Sequence, residues 1–209
     1  MVTVLLIEAT PGPNMAYLAA LTLGEGRRAG YRAVAGVAFG LGLVGLAAAV
    51  GLAEVLTRSP LAWTLLRWAG IGYLLWLAWE GWHGIGGTAP GDARPARARH
   101  FVRGLTTNLL NPKAALFYVV MLPEFVSPAT PALPQTLMLT ALSVAVASFI
   151  HLTIVTLAGR AHQFLTGPSR ARATRRGLAV ALVIVAMWFA ASTNRPLSPT
   201  APPPPARVS

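Results

Sequence analysis

The sequence predicts an all-α integral membrane protein with six transmembrane helices, arranged as two inverted halves of three helices in which helices 1 and 4 are broken. The first observation behind this is composition: of 209 residues, 55% are hydrophobic and 11% are charged, whereas a soluble domain carries about 25% charged residues. The second is the presence of stretches near the roughly 20 apolar residues that cross a bilayer. The third is that the basic residues concentrate in alternate gaps between those stretches.

Four apolar stretches run without a strong interruption, at residues 33–56, 61–82, 133–159 and 177–193. The first contains one charged residue, Glu54, and the second contains Arg67 and Glu80 near its ends. Small residues such as Gly36 and Gly40 allow helices to approach closely in a membrane. We therefore predict that each stretch forms one transmembrane helix.

Two further apolar stretches, residues 1–23 and 104–126, are interrupted by proline. The first contains Pro11-Gly12-Pro13-Asn14, and the second contains Asn111-Pro112 and then Pro123. Proline removes a backbone donor and leaves a carbonyl unpaired, which lipid tolerates only beside protein or a wet cavity. We predict that both stretches cross the membrane as broken helices, although a proline that merely starts or kinks a helix is the simpler alternative.

The basic residues predict the orientation. Of the 17 Lys and Arg residues, 12 fall in the first, third and fifth gaps and a further one, Lys113, follows the third gap, so these gaps are expected in the cytoplasm and both termini outside it. This distribution also changes the meaning of the net charge of +11. It indicates membrane topology and headgroup contact, and we expect no nucleic-acid partner.

The predicted organisation is a single polytopic membrane domain over residues 1–193. Its halves cover about residues 1–82 and 104–193, and a basic cytoplasmic linker, residues 83–103, joins them. Residues 194–209 are rich in proline and are predicted to be disordered.

Three helices per half place the two breaks at corresponding positions of an inverted repeat, which is the arrangement typical of a transporter binding site at the bilayer midplane. Lys113 is the only lysine in the chain, and a compact ammonium suits a carboxylate ligand. The alternatives are a lysine that snorkels to the interface and asparagines that only cap local turns. The predicted substrate-binding residues are Gly12, Pro13, Asn14, Asn108, Asn111 and Lys113, and the predicted helix breaks are Pro11, Pro13 and Pro112.

Two ionisable residues inside predicted spans are candidates for proton coupling. Glu8 precedes the first break, and His151 lies in the middle of the fifth span. Ionisable groups within spans are costly and usually face the protein interior. Glu8 could instead reach the interface, and His151 could instead bond to a neighbouring backbone group. Glu80, at a span end, is expected to be solvated.

The residues Thr10-Pro11-Gly12-Pro13-Asn14, Gly26-Arg27-Arg28-Ala29-Gly30 and Asn111-Pro112-Lys113-Ala114 resemble the LysE/RhtB family of amino-acid exporters. The resemblance extends over nearly residues 5–193. It implies a multi-pass protein of the bacterial inner membrane that exports a neutral or cationic amino acid by proton antiport with alternating access. The implied partners are the amino acid, protons and the lipid bilayer, and small transporters of this kind often form homodimers.

Other functions have less support in the sequence. Export of another small solute or of a metal ion is the main alternative, but away from their ends the spans offer only His151 and Glu8 as ligands, and the chain has no cysteine. A membrane-embedded enzyme would need a motif such as His-Glu-x-x-His or Gly-x-Ser-x-Gly, and neither occurs. We therefore predict no enzymatic activity, no catalytic residue, no metal site and no cofactor.

Overall fold

The computed structural model describes residue 10 and residues 12–51, 59–83, 96–162 and 168–192, and all regular secondary structure in these ranges is helical. The α-helices are α1 (Pro13–Glu25), α2 (Arg27–Ala49), α3 (Pro60–His83), α4 (Ala96–Leu109), α5 (Pro112–Leu116), α6 (Ala132–His162) and α7 (Pro168–Ser192). A π-helical turn, Phe117–Met121, continues α5, and a 3-10 turn, Pro123–Phe125, follows it.

Four of the described helices are long and apolar enough to cross a membrane: Arg27–Ala49, Pro60–His83, Ala132–His162 and Arg172–Ala191 within α7. They coincide with the four uninterrupted apolar stretches, so the prediction of an all-α membrane protein is confirmed. The other two predicted spans contain shorter helices. With 13 residues, α1 is about 20 Å long, which is less than the thickness of a bilayer core.

Helix α4 begins at Ala96, eight residues before the predicted start of the fourth span and inside the predicted linker. The added turns are basic, but three of their side chains turn inward: Arg99 is 9% exposed, His100 4% and Arg103 9%. Two of them contact acidic groups of other helices: His100 lies beside Glu25 on α1, and Arg103 pairs with Glu80 on α3. Residues 84–95 and the predicted disordered tail lie outside the described ranges.

The closest helix pair is formed by α2 and α4. A Cβ atom at Gly36 would lie 2.0 Å from the carbonyl oxygen of Phe101, and one at Gly104 would lie 2.2 Å from the carbonyl oxygen of Ala33. Only glycine allows the two backbones to meet at this distance. Helix α2 also packs on α6, and α3 packs mainly on α7.

The short helix α1 lies among α2, α4, α6 and α7. Its buried apolar side chains, Tyr17, Leu18 and Leu21, belong to the main core of the protein. It ends at Gly26, whose φ of +84° is a left-handed conformation that favours glycine, and α2 begins at the next residue. The long helices surround α1 and keep its broken start inside the protein.

Candidate functional site

Two helix starts lie beside each other at the centre of the molecule. Helix α1 begins with Pro13 after the extended residue Gly12, and α5 begins with Pro112 after the extended residue Asn111. At the first helical position a proline loses no intrahelical hydrogen bond. Gly12 offers no side-chain cap to α1, and the first amides of a helix have no acceptor within the helix itself. Pro11 lies outside the described residues.

Asn14 and Asn108 connect α1 to α4 through a buried hydrogen bond. The Nδ2 atom of Asn14 donates to the Oδ1 atom of Asn108 at 2.8 Å. Within the described part of the chain, the Oδ1 atom of Asn14 and the Nδ2 atom of Asn108 have no partner. The two broken segments are therefore in direct contact, and one amide oxygen keeps its capacity to accept a hydrogen bond.

Lys113 reaches from the second break to the first. Its backbone amide donates to the Oδ1 atom of Asn111 at 3.0 Å, so Asn111 does cap its own helix. The Nζ atom of Lys113 donates to the carbonyl oxygen of Thr10 at 2.5 Å. A Cβ atom at Gly12 would lie 3.1 Å from the Cδ atom of Lys113. The lysine stem thus crosses directly over Gly12, where a larger residue would crowd it.

These residues enclose a cavity of about 20 Å³, which is lined by Gly12, Asn14, Met15, Leu41, Asn111, Lys113, Ala114, Phe117 and His151. Five of the nine were identified from the sequence. Pro13 and Asn108 are buried beside it but are not among the lining residues. The apolar wall of Met15, Leu41 and Phe117 was not predicted from the sequence, because periodicity does not tell which apolar face of a membrane helix points to a cavity.

His151 enters this cavity from the middle of α6. Its side chain is buried, with an exposed fraction of 3%, and its Nδ1 atom has no hydrogen-bond partner among the described residues. The structure thus brings the imidazole to the same cavity as Lys113. Glu8, the other residue predicted to couple protons, lies outside the described residues.

A second polar group lies toward the other end of α1, and we name it the inner cluster: Glu25, Glu80, Arg99, His100 and Arg103. The Nη2 atom of Arg103 donates to the Oε1 atom of Glu80 at 2.5 Å, and the Nε2 atom of His100 lies 3.6 Å from the Oε2 atom of Glu25. Glu80 is only 3% exposed, so the expectation of a solvated Glu80 is wrong. Its partner, Arg103, lies on α4, and the sequence of each span taken separately does not indicate this pairing.

Burial shifts the pKa values of two groups in the inner cluster, Glu25 and His100. It raises the pKa of the Glu25 carboxyl, an effect that the positive charges of Arg103 and Arg99 oppose. It lowers the pKa of the His100 imidazole, and the charges of Arg99, Arg103 and Arg32 lower it further. Desolvation disfavours the charged form of both groups, so each proton position responds to water entering the cluster.

The described residues contain no group of three His, Asp or Glu side chains that could hold a metal ion. The polar atoms around the cavity are amides, an ammonium and an imidazole. This set suits hydrogen bonds to a small polar molecule more than coordination of a cation.

Comparison with known proteins gives one family and several relatives. A family model described as LysE type translocator matches residues 5–193. The chain is 29% identical over 196 residues to a homoserine/homoserine lactone efflux protein of Salmonella typhimurium, covering 93% of this chain and 95% of that protein. It is 31% identical over 157 residues to a leucine efflux protein of Klebsiella pneumoniae, covering 73% and 74% of the two chains. No solved structure matches.

Proposed function

Because the chain belongs to the LysE type translocator family, we propose that it is a membrane transporter that exports a neutral amino acid from the bacterial cytoplasm. Its relatives are named for the efflux of homoserine and of leucine, which are both neutral amino acids. The observation that carries the proposal is the cavity between the two helix starts, where Lys113, two asparagines and an apolar wall meet.

The lining groups of the cavity match the parts of a zwitterionic amino acid. Its carboxylate would lie between the Lys113 ammonium and the first amides of α1, where the helix dipole favours negative charge. Its ammonium would donate to the unpartnered Oδ1 atom of Asn14. Its side chain would face Met15, Leu41 and Phe117. In this mode Lys113 would exchange the Thr10 carbonyl for the substrate.

The cavity must enlarge to hold this substrate. Its volume is about 20 Å³, whereas ligand sites occupy roughly 300–1,000 Å³. We infer that substrate enters and leaves when the two halves of the protein move relative to each other, opening the cavity to one side of the membrane at a time.

Helix packing supports two inverted halves. We take α1, α2 and α3 as one half, and α4 with α5, α6 and α7 as the other half. The corresponding helices of the two halves are in contact: α1 with α4, α2 with α6, and α3 with α7. A pseudo-twofold axis that passes through the interface of two repeats can bring equivalent elements into contact in this way. We therefore propose six membrane-crossing segments, of which the first and fourth are broken.

Residues from the three basic gaps gather at one end of the bundle, which supports a cytoplasmic position for that end. The Nδ1 atom of His162 lies 2.8 Å from the carbonyl oxygen of Leu23, and His100 contacts Glu25. The Arg176 guanidinium lies 5.2 Å from the centroid of the Trp82 ring. We propose an inner-membrane location with both termini outside the cytoplasm. A homodimer in the bilayer stays a prediction.

Proton antiport is the proposed source of energy. His151 is the described residue best suited to exchange a proton with the cavity, because it is buried, lines the cavity and keeps its Nδ1 atom unpartnered. A proton on His151 would repel the nearby Lys113 ammonium and so couple protonation to substrate binding. Glu8 stays a second candidate on the basis of the sequence alone.

Inverted membrane vesicles provide the decisive experiment. Vesicles with the protein should accumulate labelled homoserine, threonine or leucine above empty vesicles when the lumen is acidic, and K113Q should abolish this uptake. M138L, at a position 75% exposed on α6, is the control and should transport normally. Equal uptake of every amino acid with and without the protein would contradict the proposal. Uptake of homoserine lactone alone would instead indicate a solute without a carboxylate.

A further inference from the structure

The inner cluster joins the two proposed halves at two points. Arg103 on α4 holds Glu80 on α3 at 2.5 Å, and His100 on α4 contacts Glu25 at the end of α1 at 3.6 Å. In each pair, one residue belongs to the first half and the other to the second. The Arg103 guanidinium also lies 5.7 Å from the centroid of the Trp76 ring on α3.

The inner cluster lies between the cavity and one end of the bundle. Along α1, Glu25 is 11 residues beyond Asn14, or about 16 Å. Along α4, Arg103 precedes Asn108 by five residues, or about 7.5 Å. Between these levels the Tyr17 side chain, 3% exposed, and Thr107, whose hydroxyl donates to the Arg103 carbonyl oxygen, fill the interior.

A buried ion pair contributes little to stability, because desolvation of the two charges offsets much of their attraction. It suits a contact that must form and break, since water restores the hydration of both charges when the pair opens. The Glu80–Arg103 pair has this character: the side chains are 4% and 11% exposed, and they lie on opposite halves.

We propose that the inner cluster is the closed cytoplasmic gate of the transporter and that Glu80 and Arg103 are its principal contact. This inference rests on the proposed function. Separation of α3 and α1 from α4 would break both contacts and open a polar path to the cavity. Glu80 and Arg103 act here as positioning residues, because they hold the two halves together and touch no substrate.

The absence of cysteine from the chain permits a direct test. A single cysteine in place of Met15, which lines the cavity, is treated with a membrane-impermeant thiol reagent from the cytoplasmic side of inverted vesicles without substrate. We expect E80Q and R103Q each to accelerate labelling of M15C by about tenfold, and the exchange E80R/R103E to return it toward the rate of M15C alone.

A cysteine at Ala98, which is exposed on α4, serves as the matched control. A98C should react at the same rate in the original, E80Q and R103Q backgrounds, which verifies that the variants are folded and correctly inserted. If either variant fails to insert, E25Q and H100Q test the second contact by the same measurement. Unchanged M15C labelling in all inserted variants would overturn the gate.

The labelling requires no transported substrate, so it separates the two proposals. Unchanged M15C labelling combined with normal amino-acid export overturns the gate and leaves the function standing. If the original protein moves no amino acid in the vesicle assay, the proposed function is overturned whatever the labelling shows.

Discussion

Asn14 and Asn108 share one hydrogen bond of 2.8 Å inside the protein, and each amide also keeps a polar atom without a partner in the described ranges. Such a pair combines two roles. The shared bond fixes the distance between the two broken segments, and the spare oxygen of Asn14 can accept a substrate donor. An apolar replacement of either residue removes the bond and leaves the other amide buried and unpaired.

We expect N14A and N108A to be non-additive. Each should lower the melting temperature in detergent, and the double variant should lose less than the sum of the single losses, with a coupling energy of about 0.5–1.5 kcal/mol. T153A serves as the control, because the Thr153 hydroxyl bonds within its own helix, and it should combine additively with N14A. Full additivity of N14A with N108A would contradict a direct bond.

His100 should make stability depend on pH. Its pKa lies below the value of 6.5 for a free imidazole, so the folded protein binds fewer protons than the unfolded chain as the pH falls through that value, and stability decreases on acidification. Melting measured between about pH 7.5 and 5.5 should therefore fall more steeply for the original protein than for H100Q.

The other groups facing His100 remain in both proteins of this comparison: Glu25 on α1, Arg32 on α2, and Arg99 and Arg103 on α4. Glu25 has a raised pKa and acts in the opposite direction, so the comparison with H100Q isolates the imidazole. H83Q, on an exposed residue of α3, should keep the pH dependence because His100 is still present. Parallel curves for the original protein and H100Q would refute the assignment.

At the scale of the element, the break between α4 and α5 depends on close packing by α3. A Cβ atom at Gly70 would lie 2.3 Å from the carbonyl oxygen of Leu110, the residue between the two helices. Gly70 therefore lets α3 cover the interrupted backbone, which must be shielded from lipid. Gly72, two residues further along the same helix, has no atom within 4 Å of its Cβ position.

This pair of glycines gives a matched test. G70A should destabilise the protein by about 1–3 kcal/mol, because backbone atoms must move apart. G72A should be neutral or stabilise α3 by up to about 1 kcal/mol, because alanine favours the helix and meets no neighbour. Thermal melting and transport of the two variants compare them directly. Equal effects would mean that α3 does not seal the break.

At the scale of the whole molecule, the proposed topology places α2 and α4 in the same direction across the membrane, each running outward from the cytoplasmic side. The end of α2 at Val50, which is 76% exposed, would face outward, while Ala98 at the start of α4 would face the cytoplasm. This follows from the basic residues around Arg27 and Arg99 at one end of the bundle.

Single cysteines at these two positions test that topology. We expect V50C to react with an impermeant thiol reagent in intact spheroplasts and A98C to react only in inverted vesicles. The original protein, which has no cysteine, is the background control in both preparations. Labelling of both positions from the same side would reject the predicted orientation.

The class of protein, the four long apolar helices and the positions of the two interruptions could all be predicted from the sequence, because hydropathy over about 20 residues and the chemistry of proline act locally along the chain. Lys113, three asparagines and His151 were also identified as candidates from the sequence, since polar groups are conspicuous within apolar stretches. The inner cluster could not be predicted from the sequence. Glu80 and Arg103 lie on different helices, which a linker separates in the chain. In the sequence, an isolated acidic residue near a span end looks the same whether it contacts lipid headgroups or an arginine side chain. Only the packing of α3 against α4 decided that Glu80 is buried, as only the meeting of the two broken segments decided which apolar side chains enclose the cavity with Lys113.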